Sequence, residues 1–421
     1  MFKLSSLKKR FYFVAASYFR FFANFSLKRW RPRIIAVTGS AGKTTMLNLL
    51  ESQLGDKAHY SHDANSAFGV AFDILGLRGI TGSKLHWFAL FFKAPLRAFF
   101  YKRAETFYIV EIDGERPHEV SFLAKWLRPE ATIWVSLGRS HASHFEAEVR
   151  AGKFKNIDEA IADEFAQLPQ STKNLVLIDA DNPLMVSTTS NLGTKVVKLN
   201  KNFIKNYEVF PDKTIFSTKT NQFIFHYPQP RDVAIQLAML DALMSYLDIP
   251  LSYDLSGFVS PPGRSSFFPG KNNLKLVDSS YNAHIISMTS ILEMSREMQT
   301  PHKWLIIGDI IDQGSLTSSE HKKLAELLLQ AKAEKILLVG KRTREYTFPL
   351  LKNASAESFL TPQEALKYIE KNAKNGETLI FKGSQYLEWI IEKLLASPSD
   401  AALLPRRELA AIKRREARGL K

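Results

Sequence analysis

Residues 37–45, Val-Thr-Gly-Ser-Ala-Gly-Lys-Thr-Thr, constrain the fold more than any other stretch of the chain. An apolar run at 34–37 leads into them and a helical pattern at 46–54 follows, so the chain passes from a strand through a tight loop into a helix. Gly39 and Gly42 allow the backbone to turn its N–H groups inward, and the helix start adds the positive end of its dipole. A loop of this kind cradles phosphate. Gly39, Ser40, Ala41, Gly42, Lys43, Thr44 and Thr45 are therefore candidate nucleotide-binding residues. Lys43 is expected to reach the β- and γ-phosphates of ATP, and the Thr44 hydroxyl to face Mg²⁺. Val37 stands where the general GxxxxGK[ST] pattern has its first glycine, which leaves the shorter form TGxxGKTT.

The rest of the chain repeats the alternation. Apolar runs of strand length recur at 34–37, 107–112, 132–137, 175–178, 274–277, 304–307, 336–339 and 378–381, separated by helical stretches. That pattern predicts an α/β protein with parallel sheets. The segment Ser260-Pro-Pro-Gly-Arg264 is a natural break. The expected organisation is a basic aromatic arm at 1–33, a central P-loop-type ATP-binding domain at 34–262, a Rossmann-like C-terminal domain at 263–396 and a basic tail at 397–421.

Charge and cysteine content narrow the function classes. With no cysteine, disulfides, cysteine-held zinc and thiolate catalysis are excluded. The net charge of +15 sits at the ends: residues 1–33 carry nine Lys or Arg and no acid, and residues 400–421 carry seven basic against three acidic residues. A nucleic-acid enzyme places basic charge in its body, so nucleic acid is not an expected partner. Charged arms suit an anionic surface such as a membrane face. The apolar stretch at 11–22, with Phe11, Phe13, Tyr18, Phe19, Phe21 and Phe22, contains Arg20, precedes no small-residue cleavage site and falls short of the ~20 residues that span a bilayer. It reads either as an interfacial helix or as a cover for the flank of the central sheet.

Further motifs follow in a fixed order. They are Asn65-Ser-Ala-Phe-Gly69, Phe107-Tyr-Ile-Val-Glu111, Val135-Ser-Leu-Gly-Arg-Ser-His141, Asp179-Ala-Asp-Asn182, Asp278-Ser-Ser-Tyr-Asn-Ala283, Gly308-Asp-Ile-Ile-Asp-Gln-Gly314 and Lys382-Gly-Ser384. Together with the TGxxGKTT loop, this series resembles the Mur ligase family, in particular its D-alanyl-D-alanine-adding branch, across residues 33–395. The resemblance implies an ADP-forming ligase that joins a carboxylate to an amine through an acyl phosphate. The substrates it implies are a peptidoglycan-precursor-like carboxylate and an amino-acid or dipeptide amine. It implies that Thr44, Glu111 and His141 hold Mg²⁺ (or Mn²⁺), with Lys43, Glu111 and His141 as the catalytic set. Glu111 and His141 lie at carboxyl ends of strands, where open α/β sheets bind ligands. By the same resemblance Asp278, Tyr281 and Asn282 close over the nucleotide, and Asn65, Arg264, Asp309 and Lys382 contact substrate.

The pattern also departs from the family. The lysine that the family carbamylates aligns with Phe165 by one path and with Lys155 by another. The family's N-terminal UDP-sugar domain is missing before the first strand. Ser279 and Gln385 replace the family's Asp and Arg, and Asp312-Gln313 stands in place of the family's acidic residue in its turn. Two other readings stay open: an amide ligase acting on a lipid-linked envelope precursor, and a nucleotide-binding relative that does not ligate. A monomer is expected, cytoplasmic and peripheral at the inner membrane face.

Overall fold

The computed structural model describes residues 2–62, 64–77, 84–139, 142–281, 283–311, 313–374, 376–384 and 386–420. His141, Asn282, Asp312 and Gln385, singled out above, lie outside the described residues. The chain forms two compact units, 1–200 with 239–249, and 201–238 with 250–421.

The first unit runs α1 (Phe2–Trp30), β1 (Arg33–Thr38), α2 (Lys43–Leu54), β2 (Ala58–Tyr60), α3 (Ala67–Ile74), α4 (Lys84–Phe100), β3 (Phe107–Ile112), α5 (Glu119–Leu127), β4 (Ala131–Trp134), α6 (Glu146–Arg150), α7 (Ile157–Gln170), β5 (Leu175–Asp179), α8 (Pro183–Thr189) and β6 (Lys195–Leu199). Its sheet is wholly parallel in the order β2-β3-β1-β4-β5-β6. β3 and β4 are buried along their whole length, as expected of strands covered on both faces. The chain crosses from β1 to one side of the sheet and from β3 back to the other, so the strand order reverses at β1. A crevice opens at the carboxyl ends of the strands at such a point, and there the Gly-rich loop sits. β4 is shorter than the run at 132–137 suggested: it ends at Trp134, and Ser136 turns aside to bond the loop backbone.

Between the two readings of the N-terminal stretch, packing favours the second for most of α1. Ala16, Phe19 and Ala23 are fully buried. The Phe19 ring lies 4.8 Å from those of Phe72 and Phe91. The Tyr18 hydroxyl donates to the Phe91 carbonyl at 2.7 Å, and the Trp30 indole to the Glu105 carbonyl at 2.7 Å. Phe19 is therefore a core residue and not a lipid anchor. Among the described residues, no helix is long and apolar enough to cross a membrane.

The second unit opens with an antiparallel meander of β7 (Asn206–Val209), β8 (Thr214–Ser217) and β9 (Gln222–Phe225). α9 (Val233–Leu247) follows, divided between the units at residue 239. Then come β10 (Ser266–Pro269), β11 (Lys275–Ser279), α10 (Ile285–Glu297), β12 (Lys303–Gly308), α11 (Thr317–Gln330), β13 (Lys335–Val339), β14 (Ala356–Phe359), α12 (Pro362–Asn372), β15 (Thr378–Lys382), α13 (Leu387–Leu394) and α14 (Leu409–Glu416). The sheet order is β10-β11-β15-β12-β13-β14, parallel except for β10, which pairs antiparallel at the edge. The basic tail is docked on this unit. Arg407 and Arg415 both pair with Glu392, at 2.7 and 2.6 Å, and Leu404 and Leu420 are buried. Two of the tail's seven basic residues are thus tied to one glutamate of this unit.

Candidate nucleotide site and the charged cluster of the second unit

The loop after β1 takes its shape from two glycines in the left-handed half of backbone space, Gly39 at φ +136° and Gly42 at φ +83°. A Cβ on Gly39 would lie 2.7 Å from the Ser136 carbonyl oxygen, so only glycine fits against β4's extension. Ser136 clamps the loop: its hydroxyl donates to the Ala41 carbonyl at 2.8 Å and accepts from the Ala41 N–H at 2.9 Å. The Ser40 hydroxyl makes the matching pair with Gly138, donating to its carbonyl at 2.7 Å and accepting from its N–H at 2.9 Å. The first intrahelical bond of α2 runs from Met46 N–H to the Gly42 carbonyl at 2.9 Å. The N–H groups of Lys43, Thr44 and Thr45 precede that ladder and stand at the positive end of the helix.

Acidic groups face this end of α2 from the neighbouring strand. The Thr44 hydroxyl donates to Glu111 Oε2 at 3.1 Å. Lys43 Nζ is buried, donates to the Gly39 carbonyl at 2.7 Å and lies 3.3 Å from Asp113 Oδ2. Glu111 is itself positioned by Ser61, whose hydroxyl accepts the Glu111 N–H at 2.8 Å. The structure thus brings Lys43, Thr44 and Glu111 together, and it adds Asp113, Ser136 and Ser61, which the sequence reading passed over. Asp113 was open to detection: two residues beyond Glu111 at a strand's end, it shares Glu111's face by the period of two. Ser136 lies inside the motif at 135–141, but nothing there marked its role, which depends on where β4 stops.

Asn65 lies beside these groups through its backbone, its carbonyl accepting the Asp113 N–H at 3.0 Å. Phe165 is fully buried in α7, its ring 3.1 Å from where a Gly114 Cβ would stand, and Lys155 is exposed on the loop before α7. Glu164, next to Phe165, accepts the His118 and Val120 N–H groups at 2.7 and 2.8 Å and so caps α5. Burial raises its carboxyl to about 7.

A second cluster lies within the second unit, at the carboxyl ends of β11 and β15. Asp278 and Lys382 stand one register step apart on these paired strands, and both are buried. Burial pushes the Asp278 carboxyl up to about 6, against a 2.9 Å hydrogen bond from the Ser280 N–H. Its Oδ2 has no hydrogen-bond partner among the described residues. Burial brings the Lys382 ammonium down to about 7; the nearby Arg264 guanidinium adds to this and Asp278 opposes it. Arg264 sits over the exposed Tyr281 ring, 4.9 Å from its centroid. Arg406, from the tail, donates to the Ser280 and Tyr281 carbonyls at 3.2 and 2.6 Å and pairs with buried Glu388 at 3.0 Å. No motif marked Arg406 or Glu388. Asp309, just past the end of β12 and bonded through its carbonyl to Ser384 N–H, is buried and accepts from the Thr343 N–H at 2.8 Å and the Arg342 N–H at 3.3 Å. Its carboxylate secures the turn after β13.

The loop, strand and helix of the first unit, with the parallel sheet of the second, define a P-loop α/β protein carrying a Rossmann-like second unit. Residues 263–385 match the model of the Mur ligase glutamate ligase domain. The chain is 24% identical over 328 residues to the UDP-N-acetylmuramoyl-tripeptide–D-alanyl-D-alanine ligase of Escherichia coli, covering 74% of this chain and 65% of that protein. It is 22% identical over 386 residues to the ligase of the same name from Bacillus subtilis, covering 88% and 78%. Among solved structures, MurF from Thermotoga maritima in complex with ADP superposes with a TM-score of 0.72 at 18% identity, over 90% of this chain and 82% of that one. MurF from Acinetobacter baumannii gives 0.69 at 19% identity, over 90% and 80%. Residues 263–385 thus resemble a Mur ligase glutamate ligase domain, and the chain as a whole is similar in sequence and fold to MurF ligases. It spans just under two thirds of the E. coli relative's length.

Proposed function

We propose that this chain is an ATP-dependent, ADP-forming ligase that joins a carboxylate to an amine, acting on a peptidoglycan precursor in the manner of D-alanyl-D-alanine addition. The observation that carries the proposal is the loop in which Lys43, Thr44 and Glu111 converge at the start of α2. A carboxylate needs activation before an amine can displace its oxygen, and ATP supplies this by phosphorylating it. Catalysis then rests on positioning and on neutralising phosphate charge.

The residues fit a nucleotide and its metal. Two left-handed glycines and a helix start form a phosphate cradle, a buried lysine stands beside it, and Asp113 Oδ1 is a buried acceptor with no partner among the described residues. Mg²⁺ or Mn²⁺ would be held by Thr44 and Glu111, with His141 as a third ligand, and would draw charge from the phosphates. Lys43, now held by Gly39 and Asp113, turns to the γ-phosphate when nucleotide enters. Asp278, Tyr281 and Asn282 contribute to the nucleotide, while Asn65, Arg264 and Lys382 serve the substrate. Lys382 titrates near neutrality and takes up a proton as a carboxylate or phosphate arrives. Asp309 supports this end of the sheet through the turn after β13. The functional division of this reading is an ATP-binding domain at 34–262 and a ligase domain at 263–396. The enzyme acts as a monomer in the cytoplasm, in peripheral contact with the membrane, and a lipid-linked acceptor is the second reading, favoured by the acid-free α1.

The test is ADP release by the full chain with UDP-muramoyl-tripeptide and D-Ala-D-Ala, with product identified by mass. Lys43→Ala should fold normally and lose on the order of a thousandfold in turnover. Nucleotide binding without ADP release for any carboxylate–amine pair would leave a non-ligating relative.

A further inference from the structure

Helix α4 is apolar on two opposite sides. Leu90, Ala94 and Ala98 are buried on the inward side. Phe88, Phe92, Leu96, Phe99 and Phe100 lie on the other, each 59–77% exposed. At roughly 100° per residue they fall within about a third of the helix circumference, so they form one stripe. A helix that is apolar all round is ordinarily buried in protein or in lipid. α1 extends the stripe with exposed Val14, Phe21 and Phe25. The Phe21 and Phe25 rings are 5.1 Å apart, and Phe25 meets Phe99 at 6.1 Å, so the two helices share one aromatic surface. A contiguous patch of this kind marks an interaction site, where scattered apolar residues would not.

The two helices that build it carry charge of one sign. α1 and α4 together contain ten Lys or Arg and no Asp or Glu. Lys28, Lys93 and Lys102 are exposed at the margin. Arg29 is held there by donating to the Phe99 and Tyr101 carbonyls at 2.7 and 2.8 Å. Beside it a cleft is lined by Arg29, Trp30, Tyr101, Lys102 and Arg103, and the buried Arg103 Nε–H has no hydrogen-bond partner among the described residues. A second copy of this face would oppose like charges, which disfavours self-association.

We propose that the α1–α4 face docks on an anionic lipid bilayer, with the exposed phenylalanines seated at the headgroup boundary and the basic margin on lipid phosphates. This deepens the peripheral-membrane reading and rests on it, while standing apart from the ligase chemistry. It also shifts the anchors away from the aromatics singled out at 11–22: of those whose side chains are described, only Phe21 belongs to the exposed stripe, and α4 supplies most of it.

The full chain is sedimented with vesicles of phosphatidylcholine alone and of equal parts phosphatidylcholine and phosphatidylglycerol, and its ADP affinity is measured in parallel. Binding to the anionic vesicles only, weakened by salt, is expected. The triple variant Phe88→Ser, Phe92→Ser, Phe99→Ser should lose at least about tenfold in vesicle affinity. Lys28→Glu, Lys93→Glu, Lys102→Glu together should lose on the order of a hundredfold. All six positions are exposed, so ADP affinity and circular dichroism should be unchanged in both variants. Indifference to anionic vesicles at low salt, or full binding by the phenylalanine variant, overturns the proposal. So does a wild-type dimer that this variant disperses, since a second copy would then cover the face. Vesicle binding by a protein that fails to bind ADP would sink the ligase reading and leave this one standing.

Discussion

Lys382→Met should make the protein more stable at neutral pH, and the gain should fade as the solution becomes alkaline. Lys382 is buried at the end of β15, with its ammonium brought from an ordinary 10.5 down to about 7. A lysine that is neutral in the fold and charged in the unfolded chain opposes folding. With a difference of about 3.5 pH units at 1.36 kcal/mol each, the opposition amounts to roughly 4 kcal/mol at pH 7, where half the folded molecules are still protonated. The sign follows from proton counts. Between about 7 and 10.5 the unfolded state holds more protons, so wild-type stability rises with pH across that window, and by pH 10 the opposition falls to about 1 kcal/mol. Methionine fills a similar volume without the charge but loses the ammonium's hydrogen bonding, worth about 1 kcal/mol. The net gain at pH 7 is therefore about 3 kcal/mol, or roughly 6–12 °C in the unfolding temperature of a unit this size. Calorimetric scans of both proteins at pH 7 and pH 10 measure it. A destabilised variant at pH 7, or a gain of equal size at both values, would refute the argument that burial sets the titration of Lys382.

Three further outcomes follow from the packing. Gly39→Ala places a Cβ 2.7 Å from the Ser136 carbonyl at φ +136°, so it should cost about 2–3 kcal/mol and weaken ADP binding measured by calorimetry; normal affinity would mean the loop is not the phosphate site. Arg406→Ala strips the partner from buried Glu388 and should cost about 2–3 kcal/mol in denaturant titration, a loss that an unimportant tail would not produce. Phe19→Ala should cost about 3–5 kcal/mol, because the ring is fully enclosed; a near-neutral result would restore α1 to the status of a loosely attached arm.

The alternation of apolar runs and helical stretches determined the fold class, because a buried parallel strand must be apolar on both faces and must be followed by a crossover. All eight runs became strands of the two sheets. The TGxxGKTT segment likewise set its own local geometry, since glycine at φ +136° and +83° and a helix start at Lys43 are properties of neighbouring residues. What lay beyond local pattern was decided by tertiary structure. Ser136 clamps the loop from 95 positions away, and Arg406 reaches Glu388 and Tyr281 through a tail that reads as a solvated basic stretch. Charge alone cannot tell a free arginine from one paired across the fold. The aromatic arm shows the same limit, for Phe19 and Phe21 are two positions apart and equally apolar, yet one is enclosed by Phe72 and Phe91 and the other faces outward. Helical periodicity sets their directions apart, but only the packing of α3 and α4 against one side determines which direction is inside.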